Sequence, residues 1–181
     1  MWLSTSKDEA SRPLARTREV PKLWRMLNPR QFFDQFVVPC VKDWEEDPLN
    51  VRKAVIAISQ IDILADHVII HQHPGFTRGQ LANVRKATEL NTPIRLLVRD
   101  VHDTHKQGPL QRPTATITTG ERPELERRGA GFRPNVFQNN VFQVGTPVLE
   151  IVQDDRTKHL VENVITDALT YWEDELSSLG L

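Results

Sequence analysis

The chain is short of the residues that carry most covalent and metal chemistry. It has one cysteine, Cys40, in 181 residues. That count excludes an internal disulfide and any metal site built on several cysteines, and it fits a reducing compartment. Neither sign of charge is in excess. Lys and Arg number 23 against 24 Asp and Glu, for a net charge of −1. No global field therefore draws the chain to nucleic acid or to an anionic membrane, and only a local basic patch could do so. Long apolar runs are missing too: "AVIAI" at 54–58 falls far short of the roughly 20 residues that cross a bilayer. The opening "MWLSTSKDEASRP" is polar and lacks the apolar stretch of a signal peptide. There is no Gly-rich phosphate loop, nucleophile elbow, dinucleotide fingerprint or internal repeat. These absences predict a soluble cytoplasmic protein with no membrane partner and no cofactor.

What is present suits one compact domain. The hydrophobic fraction is 39% and the charged fraction 26%, the balance of an ordinary globular chain rather than a disordered one. Residues 1–27 mix charges with two prolines and show no sustained periodicity. They read as an N-terminal arm in which Trp2, Leu23, Trp24 and Leu27 are available to dock. Residues 28–181 read as a single helical-bundle domain.

The first helix starts at "NPRQFF", where Asn28 can cap the free amides and Pro29 sits in the first turn. Its apolar stripe runs through Phe33, Phe36, Val37, Cys40, Val41 and Trp44, and Pro39 should kink it. A second and longest helix is expected from "DPLN", with Asp47 as cap, to about His71. A third starts at Thr77, because "TRGQ" has capping-box spacing, and ends before Asn91. A fourth runs from "TPIR", capped by Thr92, to "KQGP". The last spans Val161 to Leu179. Between the fourth and last helices, residues 108–160 gather proline and glycine. "TATITT" reads as extended, and "PVLEIVQDDRTKHLV" as a hairpin turning at Asp154 and Asp155. The expected fold is therefore mainly α, a four- or five-helix bundle with a small β-hairpin element inserted before the last helix.

Advancing about 100° per residue places Ile94, Leu97, Val98 and Val101 of the fourth helix in one apolar sector, and His105 falls inside it. Arg95, Arg99, His102 and Lys106 form a basic stripe along its border, while Asp100 and Asp103 point elsewhere. On the second helix the apolar sector holds Val51, Val55, Ile58, Ala65 and Ile69, with Asp62 and Asp66 at its edge. A histidine and two carboxylates are costly to desolvate alone. The expectation is that they pair across the bundle, Asp62 and Asp66 accepting hydrogen bonds from His105 or Arg99.

The stretch "RDVHDTH" resembles the R-x(4–6)-H motif of the HEPN superfamily, with Arg99 and His105 in the motif positions and Asp100 as the polar residue that usually follows the arginine. The resemblance implies a helical bundle, commonly dimeric, acting as a metal-independent ribonuclease. More loosely, "RDVHDTHKQGPLQR" is similar to "RD-x-x-D-x-x-KH-x-x-L" stretches of bacterial proteins, but here His105 precedes Lys106 and Gln107 stands where that histidine would be. Under the ribonuclease reading His105 is the general acid or base and Arg99 stabilises phosphate charge. Asp62 and Asp66 orient the histidine, while Arg95, His102 and Lys106 hold the RNA backbone.

A metal reading rests on His67 and His71, one helical turn apart and followed by His73, on a face opposite the main apolar stripe. Arg127, Arg128 and Arg133 with Phe132 could grip RNA, against a plain reading as a solvated loop. The repeated N-V-F-Q element at 135–138 and 140–143 should pack on the bundle or a partner. Two function classes stay open. One is a non-enzymatic interaction module, with a homodimer as its candidate assembly and a structural Asp/His/Arg network; the other is a HEPN-like ribonuclease or a nucleotide-binding protein.

Overall fold

The computed structural model describes residues 27–107, 110, 112–117, 126–128 and 147–181. The expectations for Trp2, Leu23, Trp24, Phe132, Arg133 and the N-V-F-Q element lie outside these residues.

The first helical segment opens as its sequence demands. Asn28 Oδ1 accepts from the Gln31 amide at 2.8 Å and the Gln31 side chain accepts from the Asn28 amide at 3.3 Å, a reciprocal box that starts α1 (Pro29–Phe32). The disturbance expected at Pro39 takes the form of a π turn over Phe33–Val37, in which the Val38 amide donates to the Phe33 carbonyl, before α2 (Val38–Glu45). A proline ring crowds the carbonyl one turn back, and the wider turn just before it relieves that crowding.

The long helix α3 (Val51–Gln72) begins later than expected, because Asn50 and not Asp47 is its cap. Asp47 belongs to the preceding turn, where its carbonyl and its carboxylate both accept from Asn50. Burial on α3 is not confined to one sector. Ala54, Ala57, Ile58, Ile61, Asp62, Leu64, Ala65, Val68 and Ile69 are all buried, whereas Val51, placed in the apolar sector by its spacing, is exposed. Such all-round burial marks a central helix. Among the described residues α3 is also the one helix long and apolar enough to cross a membrane by length and composition, and half of its apolar window is buried inside the bundle.

Around α3 pack α1 and α2, α4 (Arg78–Leu90), α5 (Pro93–Gln107) and α6 (Val161–Ser178). The capping box expected at Thr77 is formed with Gln80 and starts α4. The antiparallel sheet has the order β1 (Glu126–Arg128), β2 (Val148–Val152), β3 (Lys158–Leu160). The β2–β3 hairpin turns at Asp154 and Asp155, and Arg156 closes it at φ 69°. Thr114 to Ile117 of "TATITT" form no strand, and the outer strand is β1 instead. The reason lies in α5, which holds Thr116 by its side chain and amide, as described below. Leu149 and Ile151 of β2 join Val161, Ile165 and Trp172 of α6 in the shared core. Helix α6 ends with Gly180 at φ 71° and Leu181 donating back to the Leu176 carbonyl at 3.0 Å.

Replacing Thr77 with Ala removes the hydroxyl that accepts from the Gln80 amide, while its own amide can still donate to the Gln80 side chain, and should cost about 1 kcal/mol in a urea unfolding curve; Thr77→Ser should cost a few tenths at most. Equal stability of all three proteins would mean that the cap is not holding α4.

Candidate functional site

The residues with chemistry meet where α3, α4 and α5 come together. Helix α4 contributes Arg85 and Glu89, one turn apart, and Glu89 is its one buried residue. Arg85 reaches across to α3, with Nη2 2.5 Å from Asp62 Oδ1 and Nη1 2.5 Å from Asp66 Oδ1, while its Nε donates to Glu89 at 2.8 Å. The other oxygen of Glu89 takes Nη1 of Arg99 from α5, and Arg99 Nε donates back along its own helix to Asp103 at 3.3 Å. Beyond α5 the same alternation continues: Arg112 binds Asp100 and lies 3.6 Å from Asp103. Asp100 is fully buried and also accepts from the Thr116 amide at 2.5 Å and the Thr116 hydroxyl at 2.7 Å. Three acceptances on one carboxylate fasten residues 112–117 to the middle of α5.

Burial sets the direction of the shift at Asp62 and Arg112 of this ladder and is overcome at Arg85. It raises the Asp62 carboxyl above its ordinary range, against the opposing charge and hydrogen bond of Arg85 and the weaker pull of His102. Burial also works against the Arg85 charge, but Asp62 and Asp66 more than restore it and leave Arg85 above the usual arginine range. Arg112 is pushed down to about 10, first by burial and then by the positive charge of Arg99. It stays charged at neutral pH. Cys40 is half-buried and burial raises its thiol, which keeps it protonated and a poor nucleophile.

Of the residues singled out in the sequence, Asp62, Asp66 and Arg99 come together, but not in the expected pairing. The two aspartates bind Arg85 rather than His105 or Arg99, and Arg99 binds Glu89 and Asp103. His105 is exposed, so it does not lie on the buried face. The physical cause is that α5 changes partner along its length. Its first turns bury Arg95, Leu97 and Val98, with Arg95 against α6, and its last turns bury Asp100, Val101 and Thr104, with Asp100 against residues 112–117. The buried face turns about a third of the way round between the two halves, and His105 rotates out. The basic stripe is also divided. Arg95 is buried and His102 half-buried with its Nδ1 lacking a hydrogen-bond partner among the described residues, while Lys106 is exposed.

The histidines proposed as metal ligands are separated by their surroundings. His67 is not on a solvent face: its ring stacks on Phe32 at 4.1 Å and Nδ1 lies 3.4 Å from the Leu27 carbonyl. His73 stacks on Phe76 at 4.5 Å, and His71 is exposed. Among the described residues no group of three His, Cys, Asp or Glu is arranged to hold a metal ion. Sequence reasoning missed Arg85, Glu89, Arg112, Thr116 and the burial of Asp100. The i, i+4 spacings of Arg85 with Glu89 and of Arg99 with Asp103 are the local signals for the ladder.

No protein-family model matches the chain, nor does any curated protein or solved structure. What the site can do is therefore argued from its own geometry.

Two outcomes follow from the ladder. Arg85→Met leaves Asp62 buried without its partner and should cost about 3–5 kcal/mol. Its amide exchange should be fastest over residues 78–90 while α6 stays protected; uniform loss of protection would contradict the dependence of α4 on this one side chain. The second outcome is a pH effect. The Asp62 carboxyl is raised in the folded state, so the fold binds its proton more tightly than the unfolded chain, whose carboxyl titrates near about 3.9. Its contribution is fully present below that pH and is lost as pH rises through the folded value. Asp62→Asn should therefore gain stability relative to wild type between acid and neutral pH in unfolding midpoints. A constant difference across the range would be the wrong result.

Proposed function

We propose that the protein is a non-enzymatic interaction module, a soluble cytoplasmic helical bundle whose buried Asp/Arg ladder is structural. The observation that supports this most is the position of Arg99. Its guanidinium is held by buried Glu89 and half-buried Asp103, so its charge is already matched by two carboxylates. Arg95, the first member of the basic stripe, is buried as well. Exposed large apolar side chains, Phe36, Phe76 and Leu90 among them, give the surface the means to bind another protein. A second copy of the chain is the first partner to test.

The competing reading is a HEPN-like metal-independent ribonuclease or a nucleotide-binding protein. In its favour His105 and Lys106 are exposed on the same helix as Arg99. It requires Arg99 to leave two carboxylates for a phosphate, which would strand Glu89 with Arg85 alone.

The deciding experiment compares wild type, Arg99→Ala and His105→Ala. Single-stranded RNA should survive incubation with all three in the presence of a chelator, and Arg99→Ala should lose about 1–3 kcal/mol of stability through the group it leaves unpaired. Cleavage that disappears in a folded His105→Ala protein would overturn the proposal in favour of the nuclease. Sedimentation velocity should show a mass that rises with concentration and rises less in Phe36→Ser; a mass fixed at one chain removes self-association from the reading.

A further inference from the structure

The bundle leaves one strip of its central helix uncovered. A step of about 100° per residue puts Arg52, Ile56, Ser59, Ile63, Asp66 and Ile70 of α3 within about 80° of one another. None of them is buried: Arg52, Ile56 and Asp66 are exposed, and Ser59, Ile63 and Ile70 are half-buried. Isoleucines at seven-residue spacing on the outer side of a helix form a seam of the kind that one helix offers to another. The strip lies between α4, which Asp66 meets through Arg85, and the first helices, which reach α3 through the stack of Phe32 on His67.

The order of side chains along the strip indicates what covers it. Arg52 and Asp66 stand equally far in sequence on either side of Ser59, and Ile56 and Ile63 flank Ser59 more closely. A second α3 laid antiparallel across the strip, with the two-fold axis at Ser59, therefore meets its own complement. Arg52 faces the partner's Asp66, Ile56 lies beside the partner's Ile63, and the small Ser59 side chains sit where the helix axes come closest. Arg52 makes no ion pair among the described residues, and Asp66 bonds Arg85 through Oδ1, with no hydrogen bond to its Oδ2 among them. Asp66 can thus accept a second arginine without leaving the ladder. A parallel pair would instead bring Arg52 to Arg52 and Asp66 to Asp66, and like charges oppose that arrangement.

We propose that two copies of the chain pair through this strip, α3 against α3 and antiparallel about Ser59. The inference rests on the self-association reading above and gives it an interface. From Arg52 to Asp66 the strip runs about 21 Å. One helix pair of that length buries less than the roughly 800 Å² per partner of a stable complex, so the dimer is weak and depends on concentration. Phe36, exposed on the π turn that packs against α3, adds apolar surface.

The test uses the full chain, sedimentation velocity over a concentration series and disulfide capture between copies. Ser59→Cys in a Cys40→Ser background places a thiol on the two-fold axis, so mild oxidation should capture the dimer. Arg52→Cys in the same background should give no capture, because antiparallel pairing holds the two copies of residue 52 about 21 Å apart. Cys40→Ser alone is the control and should associate as wild type does. Ile56→Ser and Arg52→Glu each change an exposed side chain twice per dimer and should weaken association at least about tenfold. Arg52→Lys keeps the charge and should stay within about threefold of wild type. A chain that stays monomeric at every concentration would overturn this inference and the self-association reading together. A dimer indifferent to Ile56→Ser and Arg52→Glu, or captured through residue 52 as readily as through residue 59, would overturn the pairing of α3 alone.

Discussion

Helix α4 is held to the rest of the molecule by charge. Its one buried residue is Glu89, and none of its side chains belongs to the buried apolar core. What α4 offers the bundle is Arg85 and Glu89, and what it meets is Asp62 and Asp66 on one side and Arg99 on the other. A buried ion pair of this kind adds little net stability over an apolar contact of the same shape, yet removing one member is severe, because the partner then stays buried and unpaired. The ladder therefore determines where α4 sits and how α5 is turned more than it determines how stable the fold is. Apolar packing around α3 supplies the stability, and the charges supply the register.

Local chemistry marked most of the element ends, with the start of α3 at Asn50 rather than Asp47 as the exception. The Asn28 and Thr77 caps and the Asp154–Asp155 turn each depend on a side chain bonding to a backbone group within a few residues, and the folded chain forms all three. Facing was harder. A helical projection assumes that each helix has one buried side along its whole length, and neither α3 nor α5 obeys that. Helix α3 is surrounded, so its aspartates looked marginal in projection while Asp62 is in fact 6% exposed. Helix α5 leaves α6 for residues 112–117 partway along, so His105 looked central and is exposed. Nothing nearby in the sequence announces the second partner, because Thr116 lies 16 residues from the Asp100 that binds it. The pairing of Arg85 with the aspartates has the same character, since the partners are 19 and 23 residues apart.

The motif arginine shows how a short pattern and a fold can ask different things of one residue. Arg99 has the spacing to His105 that a phosphodiester chemistry would use, and it also has the reach to Glu89 that the ladder uses. Only the second is compatible with keeping Glu89 neutralised in the interior. Arg95, one turn earlier, has the opposite character. It takes no part in the ladder, and its charge rests on an aromatic surface, with Nε and Nη2 lacking a hydrogen-bond partner among the described residues. Two arginines on the same helix thus do different work, one neutralising buried Glu89 and the other packing on the aromatic rings of α6.

The widened turn at Phe33–Val37 bears on how this chain can vary in length. A π turn is one residue more than an α-helix needs to cover the same rise, so α1 and α2 already straddle a tolerated insertion. Losing one residue there would restore ordinary winding and leave Phe32 and Val41 on the faces they now occupy. The same loss inside α3 would swing half of a largely surrounded helix by about 100° and carry Asp62 away from Arg85. Gain or loss of single residues should therefore be concentrated at the first helix among relatives of this protein.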